Sequence, residues 1–434
     1  MAREMKDSGI EWIGEIPCEW DIRKLKYCSE FIQDKYSDKN GELEYIGLEN
    51  ISSWSGKYIS TDSQYDRAQS LLFQAEDILW GKLRPYLAKV YHTKKSGCCS
   101  SEFCVIRVSK DYSIRYFWNL LISSEFVYAI DRSTYGTKMP RANAEFIRNT
   151  FIPVPDKHEQ QAIADFLDTQ CAHIDSVIEK TRAAIEEYKR LKQSVITQAV
   201  TKGIRPNREM KDSGIEWIGE IPKEWTTPKM GTICSVITDY VASGSFASLA
   251  ENVEYLDHPD FAMLIRTVDV SNKGHNQKPV YINRKAYEFL HNSNLSGGEL
   301  MFPNIGASVG DVYLVPILYK HMSLAPNAIM VKTKYIDRYY YYYYQSKSGR
   351  LSIEDIAQST AQAKFNKTEF RQLRVLLPPN HEQSEIVAYL DEKTAAIDSL
   401  IQKKEQLITE LEAYKKSLIY EYVTGKKEAP AHAH

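Results

Sequence analysis

The sequence predicts an α/β fold of mixed α+β character, built as two tandem modules joined by two long antiparallel coiled-coil helices with pseudo-two-fold symmetry. Three observations predict it. The segment "REMKDSGIEWIGEIP" at residues 3–17 recurs unchanged at 208–222, and each copy is followed closely by a tryptophan, Trp20 or Trp225. A second, looser repeat opens with "HEQ" at His158 and at His381 and continues in register to Thr201 and Thr424. Before each of these lies a large segment, different in the two copies, that reads as strands and turns.

Composition sets the bounds. With 434 residues, 43% hydrophobic and 26% charged, the chain has material for two or three domains with sizeable cores. It has no apolar run long enough to cross a bilayer, and "MAREMKDS" lacks the apolar stretch of a secretory signal, so a cytoplasmic location away from membranes is expected. The seven cysteines, including adjacent Cys98 and Cys99, complete neither a disulfide framework nor a four-ligand zinc set, and no metal is expected. The net charge of −2 conceals mild segregation: residues 21–152 hold 19 Lys or Arg against 16 Asp or Glu, and 226–375 hold 16 against 13. That excess permits contact with phosphates without establishing it.

Each opening segment combines a polar lead with an Ile, Trp and Ile anchor before proline, so Trp12 and Trp217 are expected to pack. Strand-like pieces follow: "LEYIGLENI", "DILWGKLRPYLAKVYH" and "SEFCVIRV", then "FAMLIRTVDV", "KPVYI", "ELMFPNIGASVGDVYLV" and "NAIMVKT" in the second module. "RYFWNLLISSEF" from Arg115 and "RYYYYYYQSKSG" from Arg338 read as helices, and the rings of the six consecutive tyrosines, 339–344, are expected mainly to pack.

Asp156 with Glu159, and Asn380 with Gln383, have the spacing of a reciprocal helix cap, so long helices are expected from about His158 and His381. Their apolar stripes are Ile163, Leu167, Ile174, Ile178, Ile185, Tyr188 and Val195, and Ile386, Leu390, Ile397, Ile401, Ile408, Leu411 and Leu418. Roughly 40 residues at 1.5 Å each make rods of about 60 Å, marginal alone in water. Antiparallel pairing within the chain covers them most simply; separate docking on other partners and pairing between chains are the alternatives. His158 and His381 are expected to pack or cap, and Asp168, Asp175, Asp391 and Asp398 to be solvated or paired between helices, rather than to catalyse.

Catalytic signatures are missing. The chain has no GxxxxGK phosphate loop, no HExxH helix, no dinucleotide fingerprint and no NPPY-like segment for amino-group methylation. The candidate DNA-facing residues are Lys82, Arg84 and Lys89 in "GKLRPYLAK"; Arg132, Lys138 and Arg141 in "DRSTYGTKMPR"; Asn304 and Ser308 in "PNIGASVGD"; and Gln362, Lys364 and Lys367 in "TAQAKFNK". Arg, Asn and Gln suit base edges, whereas Lys and Ser suit phosphates. Surface solubility is the competing role.

The duplicated "KDSGIEWIGEIP", the tryptophan after it and the "HEQ" helix starts resemble the specificity subunit of Type I restriction-modification enzymes, over nearly the whole chain. The resemblance implies opening segments at 1–20 and 204–225, target-recognition domains at 21–152 and 226–375, spacer helices within 153–203 and 376–426, and a tail at 427–434. It implies a non-catalytic subunit whose two domains read the halves of an asymmetric bipartite target in double-stranded DNA, at a spacing held by the helices. It further implies assembly with two modification subunits and, in the full complex, restriction subunits. No cofactor is implied in this chain; S-adenosylmethionine, ATP and Mg²⁺ belong to the partners. The other readings are an unrelated non-enzymatic DNA-binding scaffold, or a nuclease with an unrecognised acidic metal site.

Overall fold

The computed structural model of the chain describes residues 3–36, 43–61, 70–134, 136, 138–271, 277–357 and 363–430. They form two compact units, one of Met1–Arg182 with Glu405–His434 and the other of Ala183–Lys404.

In the first unit a four-stranded antiparallel sheet runs in the order Ser29–Ile32, Phe103–Val108, Ile78–Gly81, Val90–His92. The central Ile78–Gly81 is buried throughout, which is why it reads as an unbroken apolar run rather than an alternating one. A smaller sheet of Tyr45–Ile46, Gly97–Cys99 and Leu71–Phe73 contains one parallel pair. The second unit repeats the plan. Its main sheet is Cys234–Asp239, Ala328–Thr333, Leu300–Pro303, Tyr313–Leu314, and its other sheet, again with one parallel pair, is Tyr281–Ile282, Ala262–Ile265, Met322–Leu324, Asn294–Leu295. In the first unit, Asp21–Lys24 pairs with Phe151–Val154, so the first and last strands of the globular part lie side by side; the bridges Thr226 to Leu377 and Lys229 to Arg374 do the same in the second.

Each aromatic helix expected from sequence is two helices. Ile114–Ile122 and Ser124–Asp131 break at Ser123, and Asp337–Gln345 and Lys347–Ile356 break at Ser346. Both serines leave the helical region and bond their hydroxyls back to the preceding turn, a competition with the backbone that shorter polar side chains favour. All of the six tyrosines except Tyr341 are buried, as packing requires. Trp12 also packs, edge-on to Phe126 with ring centroids 5.6 Å apart. Trp217 departs from that expectation, at 39% exposed. The residue matching Phe126 in the second copy is Gly349, which leaves Trp217 without that aromatic surface.

The long helices span Lys157–Lys202 and Asn380–Val423. In the first unit Phe166 meets Tyr422, Asp175 meets Lys415 and Arg182 meets Glu412, so partner numbers fall as helix numbers rise and the pair is antiparallel. In the second unit Tyr188 meets Lys404 and Lys192 meets Asp398, with the same sense. Ile163, Leu167, Ile174, Ile178, Ile185, Ile386, Leu390, Ile397 and Leu418 are buried, while Tyr188, Val195, Ile401, Ile408 and Leu411 are half-buried. Each fully buried Leu or Ile contributes about 1.5–3 kcal/mol.

The helix starts differ from the expected reciprocal caps. Asp156 does accept the Glu159 backbone N–H at 2.9 Å, but the Glu159 carboxylate turns to Trp20 and Arg3 instead of closing the cap. Asn380 lies inside its helix, and the Gln383 amide donates to the Pro378 carbonyl at 2.8 Å. His158 and His381 are exposed and neither pack nor cap; the neighbouring Glu and Gln hold these turns.

Candidate nucleic-acid interface

The strand order brings the sequence-distant candidate clusters of each unit to one corner of its main sheet. In the first unit the chain leaves Gly81, and Phe103 enters opposite it. Beyond that point Leu83 bridges Arg141, Arg84 donates its backbone N–H to Pro140 at 2.8 Å, and Ala142 donates to the Lys82 carbonyl at 2.9 Å. In the second unit Pro303 leaves opposite Ala328, Ile305 bridges Lys364, Gly306 donates to Ala363 at 3.0 Å and Phe365 to Asn304 at 3.1 Å. The two loop pairs are the same construction. Each is followed by an asparagine, Asn143 or Asn366, capping a short helix, which stops the second segment at the same place.

Side chains then separate into those presented outward and those engaged within the chain. Arg84, Lys138 and Arg141 are exposed and Lys82 is half-buried. Arg141 is steadied by Glu102 at 2.5 Å, an acid absent from the sequence reading; the other Glu102 carboxylate oxygen is buried without a partner among the described residues. Tyr86 and Met139, also unflagged by sequence, add exposed apolar surface on the same two segments. Lys89 instead turns its ammonium onto the Leu48 carbonyl at 2.6 Å, and burial lowers its pKa. Arg132 pairs with Glu11 of the opening segment at 3.5 Å.

In the second unit Lys364 is exposed and Ser308 half-buried on the facing loop. The Asn304 amide donates to the Phe365 carbonyl at 3.2 Å, and Lys367 pairs with Asp239 at 2.8 Å. Gln362 lies outside the described residues. Equivalent frames therefore carry different chemistry: Lys82 and Arg141 in one, Asn304 and Lys364 in the other.

Each globular part is fixed to its helix pair by a duplicated set of polar contacts. Trp20 donates to Glu159 at 2.8 Å and Trp225 to Glu382 at 2.9 Å, while Arg3 and Arg208 lie over these indoles and bond the same carboxylates. Those hydrogen bonds are the leading cause of the raised pKa of both arginines. Gln160 accepts from the Ser113 backbone at 2.8 Å, and Gln383 from Ile336 at 3.4 Å. The buried Tyr116 hydroxyl donates to the Pro153 and Val423 carbonyls, and Tyr339 to Val200. Asp168 and Asp391 bind Arg115 and Arg338 of the globular parts, so they do not pair between helices; Asp175 and Asp398 do. The "HEQ" repeat was legible, but its use as an anchor for tryptophan and arginine depends on long-range contacts.

No group of three or more His, Cys, Asp or Glu among the described residues could hold a metal ion. No helix among them is long and apolar enough to cross a membrane.

The model of the Type I restriction modification DNA specificity domain family matches residues 17–187 and 222–410. The chain belongs to this family. Among its relatives is the Type I restriction enzyme MjaVIII specificity subunit of Methanocaldococcus jannaschii, 23% identical over 424 residues, covering 95% of this chain and 93% of that one. A chain from a structure concerned with complex assembly and conformational transition of the type I R-M system superposes with a TM-score of 0.73 at 18% identity, covering 95% and 99% of the two chains. The HsdS subunit from Thermoanaerobacter tengcongensis gives 0.54 at 18% identity, over 95% and 98%. At these identities the two structures establish the shared fold of this family. The two matched segments each contain one loop pair and one helix start.

Proposed function

We propose that the chain is the non-catalytic specificity subunit of a Type I restriction-modification complex and that each loop pair reads one half of a split target in double-stranded DNA. One observation carries this reading: the same loop pair recurs at the same sheet corner in both units, with different outward side chains. A repeated frame with changed residues is what reading two different half-sites requires. Residues 21–152 and 226–375 serve as the recognition domains, and the helices within 153–203 and 376–426 as the spacer. Lys82, Arg84, Lys138, Arg141, Asn304, Ser308 and Lys364 face DNA; Lys89, Arg132 and Lys367 support the domains. Each strong bidentate base contact is worth roughly 1–3 kcal/mol of discrimination, so a site lacking one half loses several such contacts.

Two modification subunits, which carry S-adenosylmethionine and methylate adenine, bind this chain. Restriction subunits using ATP and Mg²⁺ complete the complex, and its work on cellular DNA places it in the cytoplasm. Purification with the modification subunit, followed by mapping of methylated adenines in a randomised DNA pool, tests the reading. An asymmetric split motif with a constant gap is expected; a palindromic or continuous motif overturns it.

A further inference from the structure

Residues 84–88 and 306–310 occupy equivalent places in the two units. Arg84 and Gly306 make the same hydrogen bond to the facing segment, and both have positive φ, 52° and 94°. Four residues later Ala88 and Gly310 do likewise, at 46° and 95°. The second unit places glycine at both left-handed positions, where a Cβ is unfavourable. The first unit places arginine and alanine there. Ala88 has a packing reason, since it is 1% exposed within the hydrophobic core. Arg84 has none: its side chain is exposed and makes no hydrogen bond or ion pair with any described residue. A long cationic side chain thus stands at a conformationally disfavoured position on an outward corner, with no hydrogen-bond or ion-pair partner among the described residues.

We infer that Arg84 is a specificity-determining residue of the first recognition domain and that it reads a guanine through O6 and N7 in the major groove. The inference rests on the reading that the loop pair faces DNA. A guanidinium fork matches the two adjacent acceptors of guanine, whereas flanking Lys82 and Lys138 are point charges suited to phosphates. The requirement falls on one half-site alone, because the second unit has Gly306 at this position.

The complex of this chain with its modification subunit is challenged with a randomised DNA pool, comparing wild type, Arg84→Gly and Lys138→Ala. Arg84→Gly is expected to keep or raise the melting temperature, because glycine relieves the backbone. It is expected to lose preference for guanine at one position by roughly ten- to hundredfold, with the remaining positions retained. Lys138→Ala is expected to weaken all sequences alike and to reduce the salt slope by about one counterion. Uniform weakening by Arg84→Gly overturns guanine reading while leaving the loop pair as a DNA-facing surface. A lowered melting temperature assigns Arg84 to the fold and overturns it too. Unchanged binding in both variants overturns the inference together with the interface reading beneath it.

Discussion

The indole of Trp225 donates its hydrogen to the Glu382 carboxylate at 2.9 Å, tying the second opening segment to the first turn of the second long helix. Glu382 is 1% exposed and also bonds Arg208, itself largely buried. Glu382→Ala removes the buried acceptor of both the Trp225 indole and the Arg208 guanidinium, leaving Arg208 only its half-exposed partner Glu224, and is expected to cost about 3–5 kcal/mol. Each arginine keeps a second, half-exposed carboxylate, Glu224 or Glu19, so burial makes the difference: the matching Glu159 is 18% exposed, and Glu159→Ala is expected to cost less, about 1–3 kcal/mol. Urea unfolding of the two variants decides it; equal losses refute the ranking.

Helix pairing rests on apolar burial more than on the ion pairs that reveal its direction. Leu167→Ala and Leu390→Ala, both at fully buried positions, are each expected to cost about 2–5 kcal/mol. Asp398→Asn breaks the exposed pair with Lys192 and is expected to cost less than about 1 kcal/mol. Denaturant midpoints measured at one ionic strength give the comparison, and a larger loss from Asp398→Asn contradicts it.

Burial pushes the Cys104 and Cys234 thiols up to about 12 and Cys171 to about 11. At pH 8 these groups are almost wholly protonated, and only the thiolate is alkylated. Brief iodoacetamide treatment of the native chain at pH 8 is expected to label half-exposed Cys18 and leave Cys104 and Cys234 unmodified. Peptide mass spectrometry reads the outcome, and early modification of Cys104 or Cys234 in folded protein counts against the packing described.

If the long helices set the gap between half-sites, lengthening both must change it. Four residues inserted into each add about 6 Å of rise, comparable with roughly two base pairs. Methylation mapping is expected to return the same two half-sites at an altered gap. A folded variant that retains the original gap rejects the spacer role.

Much of the fold is written locally. The apolar periodicity of residues 163–195 and 386–418 predicts helices because a 3.6-residue period has one structural solution at that length, and the burial of those stripes agrees. Strands such as Phe103–Val108 and Ala328–Thr333 were visible as apolar runs between turn residues. Local signals mislead where one residue's role depends on a distant one. The Glu159 spacing from Asp156 suits a cap, yet Trp20 and Arg3 compete for its carboxylate and win. Lys89 has the composition of a DNA contact, but the Leu48 carbonyl takes its ammonium.

The sequence by itself determined that the chain is two copies of one plan, because two repeats in a fixed order leave no other reading, and it determined which segments vary between the copies. Only the tertiary structure decided that residues 82–88 and 138–142 share one corner, and that 304–310 and 363–367 share the equivalent one. It also decided that Arg84 occupies the left-handed position its counterpart fills with glycine. The physical reason is that neither cluster carries a local signal for the other: they meet through hydrogen bonds between backbones, which any residue except proline can donate and every residue can accept.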